Sequence, residues 1–176
     1  MSDSEQVILK TVEPQLVACG LDIMPTDLDP KIAGSILEPL FGKIVEYVAS
    51  QEAQPSGSLI CIYYDLKTRH HINFPVEAIV PIPKKIPEND LIRVYELPKV
   101  EKMASIVHKG PFSTISQSYD KLDNWVKKNN YQMIGGVREV YINFDQGGEN
   151  SITELQYPVE KIHLKGIPYL LSCIGL

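Results

Sequence analysis

The chain has 176 residues, 44% hydrophobic and 22% charged, values that exclude a mostly disordered polypeptide and allow one sizeable core or two small fused units. With 17 Lys and Arg against 22 Asp and Glu the formal net charge is −5, and no basic run exceeds Lys-Lys; the clustered footprint that grips nucleic acid is missing, so no direct DNA contact is expected. No apolar stretch approaches the roughly 20 residues that cross a bilayer, the N-terminal Met-Ser-Asp-Ser-Glu-Gln is too acidic for a signal peptide, and the separated Cys19, Cys61 and Cys173 suit buried free thiols, which together predict a cytoplasmic protein.

In chain order, residues 7–20 read as a strand or two entered through Pro14, and 21–30, with two prolines and three aspartates, as a connector. The first helix has two candidate starts. Asp29-Pro30 could supply a cap and a first-turn proline, but Ser35 with Glu38 three residues on forms a capping box, and that start keeps Pro39 in the first turn; the second is preferred. Ile36, Leu37, Leu40, Ile44, Val45 and Val48 then make an apolar stripe ending near Gln51, and Gln54-Pro55-Ser56-Gly57 stops it.

A strand over 59–65 places Ile60, Ile62 and Tyr64 on one face and Cys61 and Tyr63 on the other. After a polar turn over 66–71, a return strand carries Ile72, Phe74, Val76, Ala78, Val80 and Ile82 on one face with Glu77 opposite, and Pro75, Pro81 and Pro83 suggest a weak or edge position. Residues 84–89 read as a linker. Strand material at 91–97 and 103–108 opens the second half, and Gly110-Pro111 starts a helix with Ile115, Tyr119, Leu122 and Val126 as its buried stripe and Trp125 at its edge.

Two alternating runs around the loop 145–150 then form a β-hairpin. In the first run Val140, Ile142 and Phe144 oppose Glu139, Tyr141 and Asn143; in the second Thr153, Leu155, Tyr157 and Val159 oppose Ile152, Glu154 and Gln156. If the apolar faces cover helices, Tyr141 and Glu154 share the bare face, where a ring beside a carboxylate suits a flat organic cation.

Strand, helix, strand and strand thus occur twice, about 7–83 and 91–159, followed by an apolar tail over 160–176. The expected fold is α+β: two fused β-α-β-β repeats related by a pseudo-twofold, their antiparallel sheets forming a concave groove backed by two helices, with Glu77 and Glu154 near the axis. Tyr63 and Tyr141 are then groove residues on faces away from the helices. His70-His71 read as an exposed turn rather than a metal pair, and His108 as structural. No phosphate loop, nucleophile elbow or H-E-x-x-H is present, so no metal or other cofactor is expected.

His108-Lys109-Gly110-Pro111-Phe112, the helix with Leu122 and Trp125, Arg138-Glu139-Val140-Tyr141 and the run Thr153 to Val159 together resemble the gyrase-inhibitor-like domain, also the effector-binding domain of AraC-type and MerR-type regulators. The resemblance implies one ligand-binding domain, compatible with a monomer, whose groove takes bulky, planar, often cationic aromatic compounds. It assigns the countercharge to Glu154, with Tyr141, Tyr63, Glu77, Glu139, Gln156 and Phe112 as further lining and Tyr169 of the tail as a wall or lid residue. It also implies two alternatives: a hydrolase opening strained rings, with Glu154, helped by Glu139 or Tyr141, activating water, and a protein-interaction modulator such as a gyrase inhibitor. No helix-turn-helix precedes the first strand, so an intact transcription factor is not expected.

Overall fold

The computed structural model describes residues 6–25, 30–64, 73–146 and 148–162. In order it contains strands β1 (Ile8–Val12) and β2 (Gln15–Pro25), helix α1 (Pro30–Ser50), strands β3 (Leu59–Tyr63), β4 (Asn73–Pro81), β5 (Arg93–Leu97) and β6 (Val100–Lys109), a 3-10 turn (Phe112–Thr114), helix α2 (Ile115–Lys128), and strands β7 (Tyr131–Met133), β8 (Val137–Asn143) and β9 (Ile152–Lys161). Leu66 to Ile72, including His70-His71, and the tail with His163, Tyr169 and Cys173 lie outside the described residues.

The fold is α+β, as expected: one curled antiparallel sheet in the order β1-β6-β9-β8-β3-β4-β2-β5, with β7 on β9. Its centre shows the duplication. β2-β4-β3 on one side and β8-β9-β6 on the other meet where β3 pairs with β8, in a register that sets Cys61 opposite Glu139. A twofold through that pair relates Ile62 to Val140 and Tyr63 to Tyr141; because Glu77 pairs with Ile62 and Glu154 with Val140, it also relates the two acids. The equivalence of Glu77 and Glu154 therefore stands, but their place at the axis does not. They lie on β4 and β9 with β3 and β8 between, three strand spacings or roughly 14 Å apart. The axis belongs to Cys61 and Glu139.

Several boundaries differ from expectation. Helix α1 begins at Pro30 rather than Ser35, whose hydroxyl instead donates to the Ile32 carbonyl, and Pro39 sits inside the helix. Strand β2 runs through Leu21 to Pro25, where a connector was expected. Strand β4 is interior, not an edge; Pro75 and Pro81 fall outside the stretch Val76–Ile79 paired with β3, where a missing N–H costs least. The outermost strands are exchanged between halves, with β1 on β6 and β5 on β2.

The main core lies between the helices and the sheet: Leu37, Phe41, Ile44 and Val48 of α1 and Leu122 and Val126 of α2 cover Val76, Ala78, Val80, Ile106, Leu155 and Tyr157. Gly20 of β2 allows close approach of α1, since a Cβ there would lie 2.9 Å from a Leu40 methyl. Trp125, at the edge of the α2 stripe, stacks on Tyr131 of β7 at 5.5 Å. A second, smaller core of Val17, Cys19, Ile60, Ile62, Ile79 and Leu97 lies on the other face, with Val140 packed against it. Both faces of the central strands are therefore buried, so an apolar run along one strand does not reveal which face meets a helix.

Candidate functional site

Cross-strand pairing settles the faces. Glu139 pairs with Leu155, and Tyr141 with Thr153, so Glu139 and Tyr141 share the helix-covered face with Tyr63 and Tyr157. Glu154 pairs with Val140, and Gln156 with Arg138, on the helix-free face. The expected juxtaposition of Tyr141 with Glu154 is thus corrected: they point to opposite sides of the sheet. The error arose because Val140, Ile142 and Phe144 read as the core side of β8, whereas Val140 belongs to the smaller core.

On the helix-covered face the sheet seam carries a buried carboxylate. Glu139 accepts from the Tyr119 hydroxyl of α2 at 2.6 Å through Oε1, and from Tyr141 at 2.9 Å and Tyr63 at 3.1 Å through Oε2. Burial raises its pKa above the ordinary glutamate value, and the three tyrosine hydrogen bonds pull partly the other way because they favour the anion. The same burial, with Glu139 beside them, drives the phenols of Tyr63, Tyr119 and Tyr141 well above their usual range. These hydroxyls are neutral donors. Among the described residues no lysine or arginine pairs with Glu139.

Aromatic rings surround this group. Phe41 of α1 meets Tyr141 edge-on at 6.0 Å, and Phe112 of the 3-10 turn lies 6.0 Å from Tyr141 and 6.1 Å from Phe144. Phe144 reaches them because the β8–β9 register shifts between Tyr141 and Asn143, a bulge that turns the end of β8 and re-aims its side chains. Phe144 is 48% exposed, at the outer edge of the cluster. Across from Tyr141 the Thr153 hydroxyl is buried without a hydrogen-bond partner. His108 is structural as expected, bonded through Nδ1 to Ser118 and through Nε2 to the Pro111 carbonyl. The chain approaches β8 through Gly136, where a Cβ would lie 2.5 Å from an Ile62 methyl and 3.1 Å from the Tyr63 carbonyl oxygen.

Tyr63, Glu139, Tyr141 and Phe112 of the expected site are thus assembled together, while Glu154, Gln156 and Glu77 are not part of this cluster. Glu77 accepts from Tyr64 at 2.7 Å and Tyr95 at 2.8 Å, and Glu154 pairs with Lys10 and accepts from Gln156. Phe41, Tyr119, Phe144 and Thr153 were not anticipated as site residues. Phe41 stands four residues after Leu37, a helical spacing that places it on the buried stripe, and Tyr119 was already assigned to the α2 stripe; the bulge that recruits Phe144 has no comparable signal.

Two β-α-β-β units fused about a buried, aromatic-lined carboxylate define a small-molecule-binding domain. The family model of the GyrI-like small molecule binding domain matches residues 24–160, and the chain belongs to that family. The fold is shared with the C-terminal domain of EcmrR (TM-score 0.76, 24% identity, covering 89% of this chain and 98% of that one). It is shared also with a hydrolase from Listeria innocua (TM-score 0.59, 10% identity, 89% and 93%) and with SAV2435 bound to tetraphenylphosphonium (0.57, 13%, 88% and 94%). No curated protein matches the sequence. Among the described residues no helix is long and apolar enough to cross a membrane, and no group of His, Cys, Asp and Glu could hold a metal ion.

Proposed function

We propose that the domain captures bulky, planar, hydrophobic cations between α1 and α2, with Glu139 rather than Glu154 as the countercharge. The observation that carries this reading is a buried carboxylate whose hydrogen bonds, among the described residues, come from tyrosine hydroxyls. Its negative charge is solvated by neutral donors and, among the described residues, pairs with no lysine or arginine, and Phe41, Phe112, Tyr141 and Phe144 offer ring faces and edges beside it. SAV2435, similar in fold, is seen with tetraphenylphosphonium, a ligand of this chemical kind.

The test compares tetraphenylphosphonium with neutral triphenylphosphine oxide by isothermal titration. Glu139→Gln should weaken the cation on the order of tenfold or more while barely changing the neutral compound. Equal losses for both would remove the charge role.

A second reading, hydrolysis of reactive ring compounds, draws on the raised pKa of Glu139, which suits a general base taking a proton from water as it attacks a ring carbon, and on the neighbouring Tyr119 hydroxyl as a donor to the conjugated carbonyl oxygen that takes up the electron pair of the broken C–C bond. Mass spectrometry of cyclopropane-bearing electrophiles after incubation with the protein separates the two, since a binder returns them unchanged.

A further inference from the structure

The helix-free face holds a cavity of about 480 Å3 whose lining includes Lys10, Arg138, Glu154 and Gln156 together with the apolar Ile60, Val140 and Leu97. Arg138 and Glu139 are adjacent on β8, so this cavity and the aromatic cluster lie on opposite sides of one sheet.

The charges in the cavity do not balance. Arg138 is only 6% exposed, yet it makes no hydrogen bond or ion pair with any described side chain. Both neighbouring acids are already engaged. Glu154 uses one oxygen for Lys10 and the other for the Gln156 amide, and Glu77 uses its two oxygens for Tyr95 and Tyr64. Arg138 feels Glu77 only through space, and burial depresses its pKa. The Arg138 nitrogens are not among the fully buried unpaired side-chain atoms, so the guanidinium opens onto the cavity it lines, and its planar fork of N–H donors matches a carboxylate. Once Lys10 and Glu154 cancel, the cavity keeps one positive charge beside an apolar wall.

We propose that this cavity is a second ligand site, separate from the Glu139 cluster, which takes an amphipathic monoanion: Arg138 holds the carboxylate through its fork, and the apolar part lies against Ile60, Val140 and Leu97. The Lys10–Glu154 pair flanks the carboxylate and disfavours a second negative charge, because Glu154 would face it. The site therefore has the opposite charge preference to the Glu139 cluster, and the two can be filled together.

The experiment titrates the full chain with 2-naphthoate, neutral 2-naphthamide and cationic 2-naphthylmethylammonium. Naphthoate should bind at least tenfold more tightly than the other two, and its affinity should be the same in saturating tetraphenylphosphonium and in Glu139→Gln. Arg138→Met should abolish naphthoate binding, and Arg138→Lys, which keeps the charge and loses the fork, should weaken it. Thermal unfolding reports whether Arg138→Met stays folded. Val140→Phe, which fills the cavity and keeps Arg138, should block naphthoate independently. Failure of naphthoate to bind, equal binding of the amide, undiminished binding in a folded Arg138→Met or in Val140→Phe, or competition with tetraphenylphosphonium would each overturn the proposal.

Discussion

Tyr63 and Tyr141 approach the same carboxylate oxygen from two strands. Their hydroxyls lie 3.1 and 2.9 Å from Glu139 Oε2 and 3.4 Å from each other. The pseudo-twofold relates the two tyrosines, but it relates Glu139 to Cys61, a small thiol. Duplication thus produces a symmetric pair of donors, and one substitution at the axis supplies the single acceptor that both can serve. A carboxylate on each strand would face its twin directly across the seam, where like charges are destabilising.

The tyrosine network predicts how cation binding depends on pH. Among the described residues Tyr63, Tyr119, Tyr141, Tyr157, Cys61 and His108 are the titratable groups around Glu139, and the hydrogen bonds from Tyr63, Tyr119 and Tyr141 favour its anion. Affinity for tetraphenylphosphonium should climb with pH through a midpoint above the roughly 4.3 of a free glutamate. Tyr119→Phe removes the shortest of these hydrogen bonds, so the midpoint should move upward. A downward shift would mean that Tyr119 does not stabilise the anion.

The same shift has a consequence for stability. An acid whose folded pKa is raised binds its proton more tightly in the folded state, so its contribution is fully present below the unfolded value and is lost as pH rises through the folded one. Glu139→Gln, which cannot ionise, should therefore gain thermal stability relative to the parent as pH increases from about 4 to 8, by about 2–4 °C for each kcal/mol of linkage. Parallel melting curves across that range would show that the burial of Glu139 is fully compensated.

Much of this architecture was legible in the chain. The repeat, the hairpin around 145–150 and the parity of Glu77 against Phe74, Val76 and Ala78 are local patterns, and the structure has them. The site was only half legible, because its glutamate depends on which face of β8 meets the helices. Alternation identifies the two faces but does not label them when each has a core of its own; Val140 and Ile62 look as core-like as Val137 and Leu155. The exchange of β1 and β5 between halves is a long-range choice with no local signature.

Gly136 makes a prediction about the entry to β8. Gly136→Ala places a methyl group against an Ile62 methyl and the Tyr63 carbonyl, so part of the seam must shift. A loss of about 1–3 kcal/mol is expected in urea unfolding, typical of overpacking. Gly135→Ala is the control, because its nearest neighbour, Pro158, would be 3.5 Å away. Equal losses at the two positions would assign the effect to backbone freedom rather than to the close approach.

Phe41 separates apolar capture from charge recognition. Its ring leaves α1 to meet Tyr141 edge-on, and it is buried with Leu37, Ile44 and Val48. Removing it costs core packing, so Phe41→Leu, which retains most of the volume, is preferable to Phe41→Ala. If Phe41 contributes an apolar wall, Phe41→Leu should weaken tetraphenylphosphonium and triphenylphosphine oxide by similar factors, a few-fold each, whereas Glu139→Gln should affect the cation selectively. The double variant should show additive losses for the neutral compound, which interacts with only one of the two groups. For the cation, a loss smaller than the sum would show that the wall and the charge act on it together, because a ligand no longer drawn toward Glu139 would sit less closely against the ring. Unchanged affinity for both compounds in Phe41→Leu would move the binding surface away from α1 and remove the space between the two helices as the place of capture.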